Sequence, residues 1–188
     1  MSDLDGAIGD GDHGINMNKG FTLCEKVLKD KPGNLAYSLE TLSDVLITEI
    51  GGSMGPLYGL MFSAMSDLCA EEDYIYKNLF GKMLSAAECA VRDMGNADVG
   101  DKTLLDVLVP STKAFNEAIE AGVSFMNALS KVKDAAIMGR NSTKDMIAKV
   151  GRASRLGERS KGFIDAGAAS CCLIIITLAD SVADLIAD

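Results

Sequence analysis

Apolar residues recur at intervals of three and four along almost the whole chain, and this spacing does most to narrow what the chain can fold into. Met17, Phe21, Cys24 and Leu28 form one such series, and Leu39, Leu42, Leu46 and Ile50 another. A helix turns once per 3.6 residues, so each series lies as a stripe on one face and must be buried against a neighbour. Similar segments follow near residues 57–70, 74–93, 103–120, 123–149 and 168–187, and nothing of useful length alternates with the period of two of a half-buried strand. The pattern predicts an all-α protein of about seven helices. Short connections make successive helices antiparallel, up and down. With 188 residues, 48% of them hydrophobic, the expectation is a single domain over residues 1–188 with a sizeable core.

The charge balance excludes some functions. There are 27 acidic and 18 basic side chains, a net charge of −9, which is the wrong sign for binding nucleic acid through its phosphates. No membrane association is expected. The N-terminus is acidic and lacks the apolar core of a signal peptide, and the longest apolar run, 166–179, is too short to span a bilayer and reads as a buried core helix. The five cysteines form no C-x-x-C pair and there is one histidine, which argues against a zinc site. They read as reduced thiols, hence a cytoplasmic protein.

Between the helical segments, plain and unusual loops alternate. "KDKPGN", "AEEDY" and "EAG" are ordinary turns. "GGSMGP" (51–56), "MGNADVGDKT" (94–103) and "GRASRLGERSKGFIDAGAAS" (151–170) are rich in glycine or charge, as is the opening "LDGAIGDGDHGIN" (4–16). In an up-and-down array alternate loops fall at the same end, so these four segments are expected at one rim.

The opening segment spaces Gly9, Gly11 and Gly14 as G-x-G-x-x-G. A dinucleotide fingerprint needs a strand before it, and none is indicated here. What stands out instead is Asp5, Asp10 and Asp12. One aspartate there reads most simply as a helix cap. Three, set among glycines, point to a hard divalent cation such as Mg²⁺, which takes carboxylates together with substrate phosphates. The pattern is not that of an EF-hand. The basic run Arg152, Arg155, Arg159 and Lys161 would oppose this acidic loop and supply donors to phosphate. Lys102, beside Thr103 at a helix start, is a further phosphate candidate. Gly51 and Gly52 serve as a helix C-cap or as a backbone cradle for phosphate. No Cys-His or Ser-His-Asp arrangement offers a covalent nucleophile, so the natural chemistry is phosphoryl transfer, which needs positioning and charge neutralisation.

Together, "LDGAIGDGDHGINMNKGF", "GGSMGPLYG", "GDKTLLDVLVP" and "GRASRLGERSKGFIDAGAAS" resemble the nucleotide-binding L subunit of dihydroxyacetone kinase, in family order over residues 4–170. The resemblance implies an eight-helix antiparallel barrel with ADP or ATP held at one rim through two Mg²⁺ ions. It assigns Asp5, Asp10 and Asp12 to metal. It assigns His13, Gly14, Ile15, Asn16, Ser53, Met54, Gly95, Leu104, Arg152, Asp165, Ala166 and Gly167 to the nucleotide; Arg152, and Lys102 from its place beside Thr103, are the residues expected to support transfer. In such a system a short ketose is held on a separate K subunit, and bound ADP is rephosphorylated by a phosphohistidine protein of the sugar phosphotransferase system. A transcription regulator and a second copy of the chain are further partners it implies. The alternatives are an ATP-dependent subunit for a related ketose such as a tetrulose, or a nucleotide-binding regulatory module. The chain departs from the family pattern at Met54, where a small polar residue is usual, and at Phe163 and Ala166, where His and Pro are usual. Counting seven helices also leaves the family's first helix apparently missing ahead of the aspartates.

Overall fold

The computed structural model describes the backbone of residues 1–187 and side chains through residue 186. All regular structure among the described residues is helical: eight α-helices and two 3₁₀ segments, with no strand. The helices are α1 (Ser2–Ile8), α2 (His13–Asp30), α3 (Leu35–Glu49), α4 (Met54–Cys69), α5 (Lys77–Gly95), α6 (Leu105–Glu120), α7 (Phe125–Ser142) and α8 (Ala166–Ala187). The 3₁₀ segments are Thr143–Asp145 and Arg152–Ser160. Seven of the eight α-helices match the apolar series. The eighth, α1, corrects the reading of the opening stretch as a loop: Asp5 stands on a helix. Seven residues are too few to show a period, and Gly6 lies inside them. Asp3 and Asp5 in its first turn favour the helix electrostatically, because carboxylates there face the positive end of the macrodipole.

The helices sort into two compact units, one formed by Asp12–Asn96 and the other by Met1–Gly11 with the chain from Ala97 onward. In the first, α2 to α5 run up and down. Lys19 near the start of α2 donates to the Glu49 carbonyl at the end of α3, 2.7 Å away. Ser66 late in α4 donates to the Ala36 carbonyl early in α3 at 2.8 Å. Gly95 at the end of α5 lies against Leu57 at the start of α4. Asn34 starts α3 by accepting a hydrogen bond from the Tyr37 amide at 2.9 Å, which satisfies one of the unpaired first-turn donors. Leu39, Leu42, Leu46 and Ile50 are all buried, as their spacing requires. On α2 the buried face runs through Met17, Gly20 and Cys24, with Phe21 at its margin, edge-on to Phe62.

In the other unit, Phe115 late in α6 meets Phe125 early in α7 edge-to-face, and Gly139 late in α7 lies against the Asp106 carbonyl early in α6. Thr143, just past α7, bonds to Asp165, just before α8. These three helices therefore also alternate in direction. The apolar run 166–179 lies in a helix that continues to Ala187, as the spacing over 168–187 predicts, and with that continuation the reading of the run as too short does not hold: Ala166–Ile186 is long and apolar enough to cross a membrane by length and composition. Core helices pass the same test. Here Ala168, Cys171, Cys172, Ile175, Ala179 and Val182 form a buried face, while Leu173 and Leu185 are exposed.

Candidate functional site

The chain leaves α1 at Gly9 and enters α2 at His13 through a turn of four residues. Two glycines make that turn possible. A Cβ on Gly9 would strike the Asp5 carboxylate, and Gly11 has φ +79°, a conformation costly for any residue with a side chain. The result is that Asp5, Asp10 and Asp12 each present a carboxylate oxygen within 4.8 Å of the others. Asp12 occupies the N-cap position of α2, yet its side chain makes no capping bond, so the simple cap reading fails for it. Three carboxylates this close repel one another, by about 1 kcal/mol per pair even in bulk water. The donor set, all oxygen and all anionic, fits a hard divalent ion such as Mg²⁺.

Arg152 forms an ion pair with Asp10, so the basic segment and the acidic turn meet as their charges suggest. The 3₁₀ segment that Arg152 opens packs beside α1. Arg155, Arg159 and Lys161 are exposed and make no ion pair among the described residues. They are free to meet an anion from solvent.

Lys102 is a correction. It was expected to reach phosphate, but it is only 2% exposed. Its ammonium is spent on backbone carbonyls: Phe163 at 2.6 Å, Thr143 at 2.7 Å, Ser160 at 2.8 Å and Met146 at 3.3 Å. Burial pulls its pKa down, and the nearby Asp165, Asp106 and Asp145 carboxylates oppose that. An ammonium has three protons, all directed inward here, and none is left for a ligand.

The last predicted turn is well defined. The Asp165 carboxylate accepts the Ala168 amide at 2.7 Å and so caps α8, while its own amide donates to the Thr143 hydroxyl at 3.1 Å. Burial raises the Asp165 pKa to about 6, against the amides and Lys102, which act to lower it. Gly167 sits next to the Leu104 amide, its Cβ position 3.6 Å away, so Leu104 and the turn Asp165–Gly167 share one end of this unit. Ala166 and Leu104 are buried.

In the four-helix unit the remaining predicted residues also gather at one end. His13, Gly14, Ile15 and Asn16 form the first turn of α2, with Ile15 67% exposed. The Lys19–Glu49 bond brings the following turn of α2 to the end of α3, just before Gly51. Ser53 and Met54 begin α4. The Ser53 hydroxyl makes no capping bond and is exposed, available to a ligand. Gly95 closes the set through its contact with Leu57. First-turn amides of α2 and α4 lack intrahelical acceptors, which suits an anion.

Two polar residues, Asp106 and Thr143, shape the site and were not singled out from sequence. Asp106 is buried and accepts the Gly100 amide at 2.6 Å and the Thr103 amide at 2.7 Å. The Leu105 amide donates to the Thr103 hydroxyl at 3.1 Å. These bonds fix the entry to α6, whose N-cap is Leu104, and the Thr-x-x-Asp spacing that places them was readable in "TLLD". Thr143 carried no such signal. The Ser160 hydroxyl accepts the Ala148 amide at 2.9 Å and donates to the Gly157 carbonyl at 2.6 Å, a long-range pattern that only the folded chain creates.

The DAK2 domain family model matches residues 7–180. The chain is similar to the ADP-binding subunit DhaL of PEP-dependent dihydroxyacetone kinase 1 of Listeria innocua, with 37% identity over 93% of this chain and 82% of that one. It is also similar to the corresponding subunit of Escherichia coli K12, with 35% identity over 95% of this chain and 86% of that one. Among solved structures, the native dihydroxyacetone kinase of C. freundii superimposes with TM-score 0.70 at 23% identity over 96% of this chain, which spans 30% of that longer one. The same enzyme in complex with AMP-PNP and Mg²⁺ gives a TM-score of 0.66. The chain belongs to the DAK2-domain family, as a domain of the DhaL type.

Proposed function

We propose that this chain is the nucleotide-binding L subunit of a dihydroxyacetone-type kinase and works as a single domain, a reading supported by one family model running through residues 7–180. The observation that carries it is the trio Asp5, Asp10 and Asp12, its oxygens within 4.8 Å, beside Arg152. In this reading the three carboxylates hold Mg²⁺, two ions when the nucleotide is present. Bound metal supplies neutralisation of phosphate charge. Arg152 turns its guanidinium to the phosphates, and Arg155, Arg159 and Lys161 add positive potential around them. His13–Asn16, Ser53 and Met54 contact the nucleotide through first-turn amides and the Ser53 hydroxyl. Gly95, Leu104 and the turn Asp165–Gly167 contact the base and sugar.

The phosphoryl group passes to a short ketose, dihydroxyacetone, on a separate K subunit, and the donor that recharges bound ADP is a phosphohistidine protein of the sugar phosphotransferase system. The similar proteins, ADP-binding subunits of PEP-dependent dihydroxyacetone kinases, favour this donor over free ATP. No side chain acts as a covalent nucleophile. Burial raises the thiol pKa values of Cys24, Cys69, Cys171 and Cys172, which keeps them protonated and inert. Cytoplasmic location, contact with a transcription regulator and self-association as a homodimer belong to the same reading. Mixing this chain with a K subunit, dihydroxyacetone and either donor tests it. Ketose phosphate should form with the phosphohistidine protein, and its absence with both donors favours a regulatory module.

A further inference from the structure

Lys102 is a buried cation that reaches no ligand, and the described residues include no other buried lysine or arginine. Its backbone is itself unusual. With φ +63°, it is one of two non-glycine residues in the left-handed region among the described residues, the other being Asn96 at a helix end. A long side chain holds such a conformation where surrounding bonds over-determine it. Here those bonds are the ammonium contacts, with three carbonyls at 2.6–2.8 Å and a fourth at 3.3 Å.

The four carbonyls come from both ends of one excursion of the chain. Thr143 and Met146 leave α7, and Ser160 and Phe163 return towards α8. Between them lies the segment that begins with Arg152. Just beyond Phe163 lies Asp165, whose amide is tied to Thr143, the same residue whose carbonyl Lys102 grips. A second strap joins the two sides, because the Gly162 amide donates to the Lys144 carbonyl at 2.7 Å. Lys102 therefore closes this excursion from inside, as a bound cation would in a ring of carbonyls.

We infer that Lys102 is the positioning residue of the nucleotide site. It sets the placement of the Arg152 segment and of the turn Asp165–Gly167, and it contributes affinity without touching nucleotide. This rests on the function proposed above.

Titration calorimetry with Mg-ADP on the full chain, at a temperature where circular dichroism shows every variant folded, tests it. Lys102→Met fills the same space without charge or donors, and Lys149→Ala removes the exposed Lys149–Asp101 pair of the same region as a control. The expected result is that Lys149→Ala binds as the parent does, while Lys102→Met loses more than tenfold in Mg-ADP affinity and retains its affinity for Mn²⁺ alone. A role confined to stability would lower the unfolding temperature and leave the affinity of the folded protein unchanged. A loss of threefold or less in Lys102→Met overturns the inference. If the parent protein does not bind Mg-ADP, the proposed function itself fails, a result distinct from parent binding with an unaffected variant. If Lys102→Met does not fold, Lys102→Gln decides: it keeps two N–H donors for the carbonyls and removes the charge and the remaining contacts. A loss beyond threefold supports the inference, and a smaller one overturns it.

Discussion

Replacing Asp10 by Asn should separate the electrostatic cost of the acidic turn from its use. Asp10 stands within 4.8 Å of two other carboxylates and is paired with Arg152. At that separation, with water-like screening, each like-charge pair costs about 0.9 kcal/mol, so neutralising Asp10 relieves roughly 2 kcal/mol. Losing an exposed ion pair with Arg152 returns about 0–1 kcal/mol of that. In EDTA the variant should therefore be about 1–2 kcal/mol more stable than the parent. In Mg-ADP the order should reverse. A ligand at a hundred times its Kd stabilises by about 2.7 kcal/mol, which for a chain of this length raises the melting temperature by roughly 5–10 °C. The parent should show that rise, and Asp10→Asn should show little of it, because the metal loses one of three anionic ligands. Thermal shift in EDTA, in Mg²⁺ and in Mg-ADP reads both halves, with calorimetry for affinity. Equal Mg-ADP affinity in parent and variant would refute the metal assignment. A variant clearly less stable than the parent in EDTA would refute the repulsion argument.

Other consequences follow from single contacts. Leu46 is 0% exposed, and Leu46→Ala should cost about 2–5 kcal/mol in urea unfolding with an unchanged m-value. The Asp165 pKa is raised from 3.8 to about 6, so the folded state holds a proton that the unfolded state has released between those values. Stability from this group is therefore present at low pH and is lost as pH rises from about 4 to 6, by at most about 3 kcal/mol. Asp165→Asn keeps an oxygen for the Ala168 amide and should flatten that part of the stability–pH curve; an unchanged curve would contradict the buried-carboxylate account. Asn34→Ala should cost about 0.5–2 kcal/mol through the lost cap of α3, measured by thermal melting.

Much of the fold was legible in the sequence, because local physics governs it. Stripes at three and four require helices, and the absence of period two excludes sheet. The four positions read from spacing, Leu39, Leu42 and Leu46 on α3 and Ile50 just past it, are all buried, with Thr41 and Ser43 buried beside them, and the Gly-Asp turn was readable because few chemistries tolerate three adjacent carboxylates. The helix α1 was not legible, since seven residues carry no period. The end of α8 was legible, because helical spacing continues past Asp180 through Val182 and Leu185 to the observed end at Ala187.

Tertiary structure decided which charged groups face outward. Lys102 and Arg152 both sit in glycine-rich, charged loops and were given the same role. Folding turned one inward onto four carbonyls supplied by residues 41 to 61 positions away and left the other exposed beside Asp10. Sequence spacing encodes contacts one helical turn apart, so it could specify a cap, a stripe or a metal turn. It could not specify which distant carbonyls would converge on one ammonium, because that depends on how whole helices return past each other.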